Sequence, residues 1–205
     1  MRVIVGCEYS QRVAKAFRDR GHKAYSCDIL PTDGNPEWHF TGDILEVLKD
    51  KNWVWDLGIF HPPCTDLAVS GSRYFAQKIA DGRQQRALDF VQALMDANIP
   101  RIMVENPISV ISSKIRKPDQ IIQPWQFGHP ESKSTCLWLK NLPKLTPTNI
   151  LETPASGRWT NQTPGGQNKL GPSPDRWKIR STTYLGIAEA MAEQWGNLCE
   201  GPNGQ

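Results

Sequence analysis

Strand, helix and strand follow one another within the first 27 residues of this chain, and that order leaves few folds open. Arg2 to Gly6 reads as an apolar strand. Ser10 to about Arg20 then carries Val13, Ala14, Ala16 and Phe17 at helical spacing, with Ser10 placed as N-cap and Gly21 as the stop. Lys23 to Cys27, bounded by Gly21 and Asp28, reads as the second strand. Two strands joined by a helical crossover lie parallel, which predicts an α/β fold built on a mostly parallel sheet. In such sheets ligands gather where the strands end, so Cys7 to Ser10 and Asp28 to Ile29 should lie side by side at that edge.

The same grammar continues. Asp43 to Asp50 predicts a short helix, and Trp55 to Phe60 a buried strand that stops at His61-Pro62-Pro63-Cys64, since two prolines cannot continue a ladder. Tyr74 to Ala97 has helical spacing in Phe75, Ile79, Ala87, Phe90, Val91 and Leu94. The apolar strand Ile102 to Val104 ends at Glu105-Asn106-Pro107, and further elements are predicted at Cys136 to Leu139 (strand) and Leu185 to Leu198 (helix). From Asn141 to Arg180 proline and glycine recur without periodicity, which predicts irregular loop with one hairpin at most. Three units result: residues 1–140, a basic loop region 141–180, and 181–205 as a helix completing the first unit.

At 205 residues, 39% of them hydrophobic, the chain can bury a core without staples. Its five cysteines (Cys7, Cys27, Cys64, Cys136, Cys199) include no C-x-x-C pair, so neither a disulfide framework nor a zinc site is suggested. No apolar run is long enough for a membrane span, and the first is too short for a signal peptide, so a cytosolic protein is expected. A net charge of +3 hides an asymmetry: residues 109–182 hold eleven Lys or Arg against four Asp or Glu. Such a stretch suits phosphates, although a solvated face would look the same.

Cys64 follows a strand directly and should sit exposed at the ligand edge, where Glu105 should join it from the next apolar strand. A thiol needs an activating environment to attack, and burial can keep a carboxyl protonated against an aromatic base. Taken singly, a lone cysteine reads as a buried thiol, Glu105 as a strand end, and Asp28 and Asp43 as turn-formers. His61, three residues before Cys64, could alternatively activate it for hydrolysis. Trp125, Trp138, Trp159 and Trp177 could stack bases, but Trp138 in an apolar strand reads as core.

In this order the residues make the chain resemble the DNA cytosine-5 methyltransferases, of the small kind encoded in phages and prophages. Pro62-Pro63-Cys64 matches the family's nucleophile motif and Glu105-Asn106 its acid motif, with Pro107 where valine is usual. Asp28 matches the acidic residue that holds the cofactor ribose, and Gly42-Asp43-Ile44 the contact to adenine. Gly6-Cys7-Glu8-Tyr9-Ser10 keeps only the first glycine of the family's glycine-rich loop. Glu131-Ser132-Lys133-Ser134 approximates the element that touches the target cytosine, with Lys133 its cation. The resemblance implies a Rossmann-like class I methyltransferase fold with helices on both sheet faces. It also implies S-adenosylmethionine as cofactor, held by residues 6–10, Asp28, Ile29, Asp43, Ile44 and Pro62, with Cys64, Glu105, Asn106 and Lys133 in catalysis.

The partner implied is DNA, as a duplex with a flipped cytosine or as a single strand, met by a monomer with no metal and no membrane. Where relatives carry a recognition domain, this chain offers residues 141–180. There Arg158, Lys169, Arg176, Lys178 and Arg180 should meet phosphates, and Asn161, Gln162 and Gln167 base edges. Two other readings stay open: a nucleic-acid-binding module without turnover, and an enzyme for free cytosine nucleotides.

Overall fold

The computed structural model describes residues 1–165 and 168–199. Four parallel connections lay down β1 (Arg2–Gly6), α1 (Arg12–Arg18), β2 (Lys23–Asp28), β3 (His39–Thr41), α2 (Ile44–Lys49), β4 (Leu57–Phe60), α3 (Phe75–Ala80), α4 (Arg83–Met95) and β5 (Arg101–Pro107). Then come α5 (Ile111–Lys114), β6 (Gln120–Ile122), β7 (Thr135–Lys140), α6 (Arg176–Ser181) and α7 (Leu185–Gly196). The seven strands form one sheet in the order β3-β2-β1-β4-β5-β7-β6. All neighbours are parallel except that β7 runs antiparallel to both β5 and β6. Because β1 to β3 spread one way and β4 and β5 the other, the carboxyl ends of β1 and β4 flank a switch point, the usual ligand crevice of an open α/β sheet.

Both faces are covered. Val3 and Val5 of β1 pack with Phe17 of α1 and with Ile187, Met191 and Trp195 of α7, while Ile4 between them points to Ile44 of α2 and Leu88, Val91 and Leu94 of α4. Each of these large side chains contributes about 1.5–3 kcal/mol by leaving water. Trp138 is core, as its strand implied, and Trp125 stacks on the buried Trp159 with ring centroids 5.7 Å apart. Among the described residues no helix is long and apolar enough to cross a membrane.

Several elements depart from the sequence expectation. The first helix starts at Arg12: Gln11 takes a left-handed φ of 56°, and Ser10 is not its cap. The capping acceptor is Glu8, whose Oε1 and Oε2 receive the Val13 and Ala14 N–H groups at 2.7 and 3.2 Å. The long helix from Tyr74 is two, α3 and α4, because Gly82 adopts a φ of 74° and Asp81 caps the Arg83 N–H at 3.0 Å. Glu105 and Asn106 lie within β5 rather than after it, since β7 supplies them with partners in Leu137 and Cys136. The region 141–180 contains α6, whose basic, weakly apolar stretch carries no periodicity to betray it.

Candidate active site

Four strand ends bring the chemistry together. β4 ends at Phe60, and the His61 N–H donates to Gly6 O at 3.0 Å, so the chain leaves the sheet beside the end of β1. Asn106 on β5 is buried and donates from Nδ2 to Pro62 O at 2.9 Å, which fixes the His61-Pro62-Pro63 turn against the neighbouring strand. Cys64 then emerges exposed. The loop behind it is held from α3 and α4: Lys78 Nζ donates to Thr65 O and lies 3.4 Å from Asp66 Oδ1, and Gln84 Nε2 donates to Asp66 O at 3.4 Å. A buried lysine and a buried glutamine thus brace the Cys64 loop.

The charges around Cys64 oppose one another. Enclosure of its sulfur and the neighbouring Glu105 carboxylate push the thiol above its ordinary range, while Lys133 and Arg180 pull it down. Lys133 stands just ahead of β7, and its Nζ donates to Arg180 O at 2.8 Å. Glu105 meets His61: Oε2 and Nδ1 are 3.1 Å apart, with the two side chains only 19% and 8% exposed. Burial pushes the Glu105 carboxyl up, but the His61 hydrogen bond and the Lys133 charge outweigh it and hold the group below the usual carboxylate range. The sequence-based expectation of a carboxyl kept protonated by burial is therefore corrected. So is the pairing of His61 with Cys64, because the ring turns to β5 instead.

The residues expected to hold a cofactor divide into two sets. Asp28 ends β2 with Oδ1 accepting the Leu30 N–H at 3.0 Å, and beside it Ile29 is 78% exposed. The Asp28 and Asp43 charges both reach Cys7 and Cys27, which, with burial as the larger cause, pushes the Cys27 thiol up to about 12. An oriented carboxylate beside an exposed apolar side chain at the carboxyl end of β2, next to β1, fits ribose hydroxyls and an adenine face. The other set is engaged within the fold. Glu8 is occupied by α1, Asp43 Oδ1 accepts the Leu45 N–H at 2.9 Å to cap α2, and Ile44 is buried. A Cβ on Gly6 would lie 2.7 Å from Phe60 and 2.8 Å from Ile44, so side chains fill the space beside that glycine. Cys7, with φ 59°, and Ser10 border the loop, while Tyr9 is buried and donates its hydroxyl to Lys178 O at 3.2 Å.

That last bond ties the two halves of the edge. Lys178 Nζ lies 3.6 Å from Asp33, Arg12 donates to Thr183 O at 3.2 Å, and Lys133 holds Arg180 O, so residues 176–183 form a strap from the Tyr9 loop to the Cys64 site. Of the other expected nucleic-acid contacts, Arg158 and Lys169 are exposed, and Arg176 opens α6. Asn161 and Gln162 are corrected: Asn161 is clamped to the Ser132 N–H and C=O at 3.0 and 2.9 Å, and Gln162 accepts the Trp159 N–H at 2.9 Å. Their amides shape the loop. Gln167 lies outside the described residues.

No family model matches the chain, and no curated protein does. Among solved structures it is similar to an E. coli protein encoded within a prophage and described as a candidate DNA modification methyltransferase, at 14% identity and a TM-score of 0.50. The match covers 77% of this chain and 53% of that one, so this chain spans about half the length of its neighbour. The fold is thereby shown as Rossmann-like α/β, with a mostly parallel sheet between helices.

Proposed function

We propose that this protein transfers a methyl group from S-adenosylmethionine to C5 of cytosine in DNA. The observation that carries the reading is the meeting of an exposed thiol, a hydrogen-bonded carboxylate and a cation, Cys64, Glu105 and Lys133, at one sheet edge. The methyltransferase described for the structural neighbour agrees with it, as does the order of motifs. C5 of cytosine is too weak a nucleophile to act unaided. Cys64 Sγ adds to C6, the C5–C6 π pair moves to C4–C5, and the C4–N3 pair takes a proton that Glu105, ionised at rest, first accepts from water and relays. The resulting enamine is nucleophilic at C5. After C5 has taken the methyl group, leaving a neutral thioether behind, N3 returns its proton to Glu105, water takes the C5 proton, and expulsion of the Cys64 thiolate restores the ring. Lys133 steadies the thiolate.

S-adenosylmethionine, when bound, supplies the methyl group as an electrophilic sulfonium; Asp28 would hold its ribose and Ile29 would cover its adenine. Asn106 keeps the Pro62 turn in place. Because C6 is hidden in a duplex stack, the base must be flipped out or come from a single strand. Arg158, Lys169, Arg176 and Arg180 would take the phosphates, and with Asn161 and Gln162 committed to their own loop, few side chains remain to read base edges. A short target follows.

Incubation of the protein with methyl-labelled S-adenosylmethionine and DNA tests this. Label should appear at C5 of cytosine and vanish in Cys64→Ser, whereas Asp28→Ala should weaken cofactor binding by about 2 kcal/mol, read by calorimetry. Label at another atom, or full turnover in Cys64→Ser, would overturn the assignment.

A further inference from the structure

His61 is nearly buried, its backbone is pinned to Gly6, and its ring makes a single hydrogen bond, to Glu105 Oε2. The other ring nitrogen, Nε2, is buried without a partner. With Nε2 unpartnered and Nδ1 facing Oε2, the ring donates through Nδ1–H. That proton can only be donated to the carboxylate.

We propose that His61 is the positioning residue for Glu105, holding Oε2 through Nδ1–H so that Oε1 is left to face the target base. This rests on the cytosine reading above. When Oε1 relays the proton it has taken from water to N3, the charge left on the carboxylate falls on an oxygen already hydrogen-bonded, which makes Glu105 a stronger acid at the moment of transfer. The His61 proton stays on Nδ1 throughout, so the ring changes no charge and only one proton moves. Glu105 is faced by His61 from the end of β4, by Lys133 from ahead of β7, by Cys64 from the nucleophile loop and by Cys136 of β7. His61 is faced in turn by Glu8 from the loop after β1. Among these groups only His61 holds Glu105 by a side-chain hydrogen bond.

Carbon-13 NMR of the Glu105 carboxyl in the full chain, without ligands, reads the effect directly. In His61→Phe the titration midpoint should rise by about one pH unit or more, and His61→Asn, whose amide can donate from nearly the Nδ1 position, should bring most of it back. In methyl transfer His61→Phe should lower kcat roughly tenfold to a hundredfold, leave KM for DNA nearly unchanged, and move the basic limb of the kcat profile to higher pH. Nitrogen-15 shifts of the unaltered protein should place the His61 proton on Nδ1. An unmoved Glu105 midpoint, a kcat loss with an unmoved limb, or a proton on Nε2 would each overturn the proposal. If His61→Phe does not fold, the tautomer in the unaltered protein and the midpoint in His61→Ala decide it. Should the unaltered protein methylate no cytosine, the functional reading fails while the NMR midpoints still judge the His61–Glu105 pair.

Discussion

At Cys64 the resting thiol and the attacking thiolate are separated by the charges around them. Enclosure and Glu105 favour the thiol, Lys133 and Arg180 the thiolate. Removing a cation should therefore raise the pKa further: in Lys133→Met, alkylation of Cys64 by iodoacetamide at about pH 8 should slow several-fold, as read by peptide mass spectrometry. An unchanged rate would remove Lys133 from the electrostatics of the site. Cys64 and Glu105 were legible in the sequence because each follows an apolar run, and strand ends in a parallel sheet share one edge. The partner of His61 was not legible. Which strand adjoins β4 decides it, and nothing local to residues 61–64 encodes that β5 does. Asn161 and Gln162 misled for a related reason, since amides suited to base edges suit backbone groups equally well.

Among elements, α1 depends most visibly on a single side chain. Its first free N–H groups are answered by Glu8, a residue of the loop after β1, so Glu8→Ala should destabilise the protein by about 2 kcal/mol, shifting the urea midpoint without altering its slope. Burial pushes the Glu8 carboxyl above its usual range despite His61 and the two N–H donors. An acid raised in this way binds its proton more tightly folded than unfolded. Its contribution is therefore fully present below the unfolded pKa and is lost as pH rises through the folded one. Relative to Glu8→Gln, which imitates the protonated form, the unaltered protein should thus lose stability as pH rises above the ordinary carboxylate range and through the raised folded value. A gap that stays constant, or widens the other way, would contradict this. The parallel strands β1, β2, β4 and β5 and the core helices α2, α4 and α7 were legible from their apolar patterns. The three-residue strands β3 and β6 were not, because so short a run is held by its neighbours, and the cap of α1 was missed because its acceptor precedes the helix by several residues.

The excess of positive charge lies in residues 109–182, and much of it falls between β7 and α7. Duplex affinity should fall with salt at a slope of about −0.9 per phosphate neutralised, and replacing Arg158 and Lys169 together should weaken binding on every sequence alike and flatten that slope by about 2. Fluorescence anisotropy across a salt series measures both, and a slope unaffected by the double change would move the phosphate contacts elsewhere. The strap at 176–183 adds a consequence in time. It closes over Tyr9 at one end and grips Lys133 at the other, so one piece of chain borders both the Tyr9 loop and the Cys64 site. On the reading proposed, DNA lying across the strap also bars the way past Tyr9, and the spent cofactor leaves only after the duplex has gone. Each methylation then ends an encounter. On a long duplex with many targets, early modifications should be scattered singly among molecules, as independent arrivals would leave them, and not in runs laid down by one enzyme travelling along the strand.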